Sequence, residues 1–151
     1  MQFHIAVARS IETVFELISD LSGYKAWLPS SELFTEVVDI SDYPVKVGTT
    51  YGDKGATTTM RGEVVAMEPP RIIAFRQTTH IERAFLSGEL TISIRYQLEA
   101  IGGGETQITR ELHMHTTGLL TVARPLLIMA IRKENERILQ RMKIYLESRV
   151  G

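Results

Sequence analysis

The chain has 151 residues, 44% hydrophobic and 23% charged, with 17 basic and 18 acidic side chains for a net charge of -1. That length suits one domain with a full core, expected over residues 1–151, and the balanced charge speaks against a nucleic-acid binder driven by global charge. The absence of cysteine excludes disulfides, thiol nucleophiles and thiolate metal sites, and fits a cytoplasmic location.

The opening MQFHIAVARS has no basic region ahead of a signal-length apolar run. Residues 2–8 alternate, with Phe3, Ile5 and Val7 on one side and His4 and Ala6 on the other, as in a half-buried strand. Ser10 stands where an N-cap hydroxyl accepts from the free N–H groups of a helix start. Ile11, Val14, Phe15 and Ile18 follow at helical spacing, so a helix is expected over residues 11–20. Residues 21–29 set the breakers Gly23 and Pro29 around Tyr24 and Trp27, which reads as a second, short helical piece carrying the only tryptophan. From residue 32 to 117 the signal changes to period two, with strands expected over residues 33–40, 49–53, 57–67, 72–81, 87–100 and 105–117. Asp53-Lys54-Gly55 reads as a hairpin turn, Pro69-Pro70 stops a strand because proline cannot donate to a ladder, and Gly102-Gly103-Gly104 joins the last two strands. Such an order means an antiparallel meander.

Residues 119–147 then form one long helix. Leu127, Ile131, Ile138, Met142 and Tyr145 recur at helical spacing, with Asn135 at the midpoint of the longest gap, and Pro125 marks where the first turn kinks or begins. The apolar run over residues 119–131 is broken by Arg124 and Pro125 and falls short of the roughly 20 residues of a membrane span, so no transmembrane segment is expected. The fold class is α+β: one long helix laid across one curved sheet.

This order resembles the START-like superfamily, in particular its bacterial polyketide cyclase/dehydrase and lipid-transport group. The resemblance covers nearly the whole chain. It rests on IAVARSIETVFELISDLSGYKAWLP at the front, MEPPRIIAF in the middle, and a Gly-rich turn before the last strand and helix. These are fold markers and none is a catalytic signature. The resemblance implies a helix-grip fold: a seven-stranded antiparallel sheet wrapped around the C-terminal helix, with an apolar cavity between them. The family includes lipid and sterol carriers, ubiquinone-binding proteins, aromatase/cyclases, pollen allergens and chaperone activators, so fold alone leaves function open.

On the late strand, Leu90, Ile92, Ile94, Tyr96 and Leu98 share one face and are expected to point inward. Ile73 and Phe75 share a face with Gln77 and Thr79, Ile108, Leu112 and Met114 with Arg110, and Leu127, Ile131, Asn135 and Ile138 look at the sheet. Together with Trp27, the residues Phe75, Gln77, Ile94, Tyr96, Arg110, Leu112, Met114, Leu127, Ile131 and Asn135 are the candidate ligand-binding set: mostly apolar, with a few placed polar groups. The same pattern also describes a filled core with polar groups at its edges. Arg110, unfavourable if buried without a partner, pairs with a carboxylate such as Glu63, reaches solvent, or meets an anionic or phenolic ligand. Asn135 offers donor and acceptor to a ligand, to backbone or to water.

Glu111, His113 and His115 alternate on one strand and share the face opposite Leu112 and Met114. The outer two are roughly 13 Å apart along the backbone, too far for one ion, so no metal is expected. In the inverted orientation they would offer acid/base chemistry in the cavity. His4 and His80 read as structural. No Gly-x-Ser-x-Gly, phosphate loop or dinucleotide loop is present, and no cofactor is expected. The basic excess of Arg132, Lys133, Arg137, Arg141, Lys143 and Arg149 reads as a solvated helix face. The first expectation for function is binding or transport of a small hydrophobic ligand (lipid, quinone or aromatic polyketide) by a monomer or homodimer without nucleic-acid partners. The alternatives are a polyketide cyclase, aromatase or dehydratase, and a protein-interaction module such as a chaperone activator.

Overall fold

The computed structural model describes residues 1–83 and 85–148, so Arg149 lies outside the described residues. Seven antiparallel strands are formed by β1 (Gln2–Val7), β2 (Glu36–Val38), β3 (Thr50–Lys54), β4 (Thr59–Glu68), β5 (Ile72–Arg83), β6 (Leu86–Gly102) and β7 (Glu105–Thr116). Their order across the sheet is β1-β7-β6-β5-β4-β3-β2. The meander therefore runs from β2 to β7 in sequence, and β1 closes the far edge beside β7, with Phe3 opposite Arg110. Helix α1 (Ile11–Ser19) starts at Ser10, whose hydroxyl accepts from Thr13 N, and buries Val14, Phe15 and Ile18. A 3-10 turn (Leu21–Gly23) leads into α2 (Tyr24–Trp27), and a second (Gly118–Ala123) into α3 (Arg124–Ser148).

The period-two face of β6 points inward as expected: Leu90, Ile92, Ile94, Tyr96 and Leu98 are all buried. Pro125 occupies the first turn of α3, where its missing N–H costs no intrahelical bond. The core stripe of α3 differs from the expected one. Ile131, Asn135, Leu139, Met142 and Leu146 are buried, whereas Ile138 and Tyr145 are half-buried. The real stripe steps four, four, three and four: Leu139 takes the place expected for Ile138, and Leu146 that expected for Tyr145. Each buried aliphatic side chain in it contributes about 1.5–3 kcal/mol against the sheet.

Two boundaries shift. The strand expected over residues 33–40 shrinks to three residues. The turn expected at Asp53-Lys54-Gly55 moves outward: β3 continues to Lys54, and Gly55 N donates to Thr58 O at 2.7 Å. Asp53 is therefore a strand residue, as the expected strand over residues 49–53 had it, and not part of the turn; it is paired in register with Met60.

Candidate functional site

Between the concave face of the sheet and α3 lies a cavity of about 400 Å³. Phe75, Ile92, Ile94 and Leu112 form its sheet wall; Leu127, Ile131 and Ile138 form its helix wall. Of the candidate set, Phe75, Gln77, Ile94, Tyr96, Arg110, Leu112, Leu127, Ile131 and Asn135 line it. Trp27 and Met114 do not, although both are buried. Trp27 instead packs behind the wall residue Tyr24, ring centroids 5.1 Å apart.

Arg110 sits in the middle of β7 and is 6% exposed, so it does not reach out to solvent. It does not pair with a carboxylate either. Its Nε donates to Asn135 Oδ1 at 2.5 Å, and Nη1 donates to the Tyr96 hydroxyl. Glu63 is directed away by strand alternation: Gly62 and Val64 are the buried residues of that stretch, and Glu63 stands in register with Arg76 on the outer face. The guanidinium carbon also lies 4.9 Å from the Tyr96 ring centroid, a cation–π contact that offsets part of its desolvation. Tyr96 packs edge-on against Phe75, and Phe75 edge-on against Tyr51, an aromatic wall drawn from β6, β5 and β3. Asn135 engages both halves of its amide: Nδ2 donates to Ile131 O at 2.7 Å while Oδ1 serves Arg110, which leaves one N–H and one lone pair. A polar residue is tolerated mid-helix because both halves of its amide are satisfied.

The residues that sequence reasoning missed are Tyr24, Tyr51, Asp53 and Glu134, all lining the cavity. Gln77 Nε2 donates to the Tyr51 hydroxyl at 2.8 Å. The Tyr51 ring lies across β4 at Gly62, where a Cβ would stand 2.2 Å from the ring; only glycine leaves that space. Burial pushes the Asp53 carboxyl up to about 7, with nearby Glu134 adding to the shift and the Gln77 amide and Arg110 pulling it partly back. Its Oδ1 is buried without a hydrogen-bond partner. Burial likewise raises the Tyr51 and Tyr24 phenols above their usual range, and the Tyr24 hydroxyl donates to Ile18 O at 2.5 Å. The signal for Tyr51 and Asp53 was present as a period-two pair. The Asp-Lys-Gly triplet masked it.

Glu134 and Arg137 belong to a fastening, not to a freely solvated helix face. Arg137 Nε and Nη2 each donate to the Glu134 carboxylate at 2.8 Å, Nη1 donates to Pro29 O at 2.7 Å, and Nη2 also reaches Ser31 Oγ at 3.1 Å. This ties α3 to the loop after α2, which carries the cavity residues Leu33 and Phe34. Lys143 is also engaged, donating to Ala6 O and Glu147. Glu111, His113 and His115 face outward, since Leu112 and Met114 take the interior; this rules out the inverted orientation. His113 and Glu111 pair at 3.0 Å in solvent. Among the described residues no three His, Asp or Glu side chains are grouped to hold a metal ion.

A curved antiparallel sheet gripping a C-terminal helix, with a cavity between them, defines a helix-grip protein of the START-like kind. The sequence matches the family described as polyketide cyclase / dehydrase and lipid transport over residues 1–147, and the chain belongs to that family. Similar solved structures include an aromatase/cyclase, Zhui, from Streptomyces sp. R1128 (20% identity, TM-score 0.71, covering 100% of this chain and 94% of that one). A START superfamily protein from Mycobacterium smegmatis is 15% identical with TM-score 0.69, covering 98% and 97%. The Aha1 dimer from Colwellia psychrerythraea is 18% identical with TM-score 0.65, covering 100% and 98%. At these identities the likeness is one of fold. A search of curated proteins finds no match. Family and fold together support a role in hydrophobic-ligand binding or of polyketide-cyclase type. No helix among the described residues is long and apolar enough to cross a membrane.

Proposed function

We propose that this protein binds and carries a small hydrophobic molecule (a lipid, a quinone or an aromatic polyketide) between its sheet and α3. The observation that carries this reading is the cavity of about 400 Å³, mostly apolar, with polar groups that include Arg110, Tyr96, Asn135, Gln77 and Asp53. That is the size and make-up of a small-molecule site. In this reading Arg110, Asn135 and Tyr96 orient the ligand, and Phe75, Ile94, Leu112, Leu127 and Ile131 enclose it. The partner is then a small molecule, the location cytoplasmic and the chain a monomer or homodimer, which sedimentation velocity distinguishes. Native mass spectrometry of freshly purified protein tests the proposal. A co-purifying small molecule, or uptake of the neutral dye Nile red, is expected. No bound molecule and no dye uptake would sink it.

A second reading, proton-transfer catalysis on a polyketide-like substrate, is favoured by one observation. Asp53 holds its proton near neutral pH and faces the same cavity as Arg110, the condition a general acid or base needs. Cyclisation of an aromatic polyketide precursor that disappears in Asp53→Asn would select this reading over carriage alone.

A further inference from the structure

Two features of the cavity have no use in holding a purely apolar molecule. Arg110 is a buried cation with only neutral partners, and no ion pair among the described residues includes it. An arginine keeps its charge in proteins, and a buried charge without a counter-charge is strongly unfavourable. Asn135 and Tyr96 take Nε and one N–H of Nη1; no hydrogen bond from Nη2 occurs among the described residues. The outer edge of the guanidinium, the edge that receives a carboxylate in a two-pronged pair, is therefore open in a residue that lines the cavity. The second feature is the unpartnered buried Oδ1 of Asp53 in the same cavity.

Resting on the reading of the cavity as a ligand site, we propose that its ligand is an organic monoanion. A carboxylate or equally acidic oxygen sits on the open edge of Arg110, and the apolar body lies along Ile94, Leu112, Leu127 and Ile131. The charge count supports one negative charge and not two. Glu134 is neutralised by Arg137. The other lining cation, Arg83, is exposed and donates to Thr57 Oγ1. Among the described residues Arg110 is thus the one unbalanced interior charge below neutrality, too little for a dianionic phosphate.

Asp53 then sets the pH range. The groups facing the anion site are Asp53 and Tyr51 from β3, Gln77 from β5, Tyr96 from β6, Tyr24 from α2, and Asn135 and Glu134 from α3. Of these, Asp53 gains its charge near pH 7, while Tyr24 and Tyr51 are shifted further away from that range. None of the four histidines lines the cavity. Below neutrality the interior carries the positive charge of Arg110 alone. Above it, Asp53 cancels that charge and opposes an incoming anion.

The test is displacement of Nile red by three straight-chain probes of equal length: decanoate, decanol and decylammonium. Decanoate is expected to displace at about ten-fold lower concentration than decanol near pH 6, as charge-assisted hydrogen bonds dictate, and decylammonium to be weakest. Arg110→Met should abolish the preference, bringing decanoate to the level of decanol, and Arg110→Lys should keep part of it. If Arg110→Met fails to fold, the wild-type protein still decides: its decanoate affinity should fall several-fold from pH 6 to pH 8, decanol should not change, and Asp53→Asn should flatten the profile. Equal displacement by decanoate and decanol, or a preference for decylammonium, overturns the inference and leaves hydrophobic binding standing. Failure to take up Nile red or any probe overturns both.

Discussion

Replacing Asp53 with asparagine keeps the shape of the side chain and removes its ionisation. In the folded protein burial raises the Asp53 carboxyl from 3.8 to about 7, so the native state holds a proton that the unfolded chain releases near pH 4. Stability then falls as pH rises, because the native state binds more protons than the unfolded state between those values. The full gap is worth about 4 kcal/mol at 1.36 kcal/mol per unit. The residue as a whole keeps some exposure although Oδ1 is buried, and relaxation around a charged carboxylate offsets part of that cost, so about 2 kcal/mol is expected. Wild type and Asp53→Asn should therefore match within about 0.5 kcal/mol near pH 4, and at pH 8 the variant should be more stable by about 2 kcal/mol. Urea unfolding followed by circular dichroism reads this as a higher midpoint at unchanged slope. The difference between the two proteins isolates Asp53. Asp42 and Glu147, whose carboxyls are lowered by hydrogen bonds from Ser41 and from Lys143 respectively, lose their contribution only as pH falls through the acid range. A variant less stable than wild type at pH 8, or a pH-independent difference, would show that Asp53 is paired or solvated and refute the reasoning.

Asn135→Ala removes the acceptor of Arg110 Nε and should destabilise the fold by about 2 kcal/mol in thermal unfolding, since a charged donor loses its partner in the interior. Gly62→Ala drives a methyl into the Tyr51 ring; overpacking should cost about 1–3 kcal/mol and disturb the Tyr51–Gln77 bond, seen as weaker Nile red binding. Arg137→Ala cuts the loop carrying Leu33 and Phe34 from α3, so stopped-flow release of Nile red should quicken several-fold, with a smaller change in affinity. An unchanged release rate would mean that the loop does not control access.

Family membership limits what any of these outcomes implies about pathway. One helix-grip frame serves carriers, cyclases and protein-binding domains, and the differences lie in the side chains that face the cavity. For this chain those are an unpaired Arg110, an acid at Asp53 near its titration point, and three tyrosines drawn from α2, β3 and β6.

The elements of the fold were legible residue by residue. Alternation in β6 and β7 and the Ser10 cap of α1 are local properties of backbone geometry, with periods of two and 3.6 that show in any window of ten residues. Alternation put Gln77, Tyr96 and Arg110 on inward faces, helical spacing did the same for Asn135, and all four line the cavity. The central stripe of α3 was misread by one position, because Ile138 and Leu139 are adjacent and apolar and only the packed sheet chooses between them. Asp53 was hidden by turn chemistry that operates two residues later. Of the fates expected for Arg110, a carboxylate partner and an exit to solvent both fail, and Arg137 leaves the solvated face expected for it. In each case the deciding quantity is who stands opposite: Asn135 is 25 residues from Arg110, and Pro29 is 108 from Arg137. Periodicity tells a side chain which way to point. Its partner, its burial and therefore its charge are supplied by distant strands and helices, and these exist only once the sheet has closed on α3.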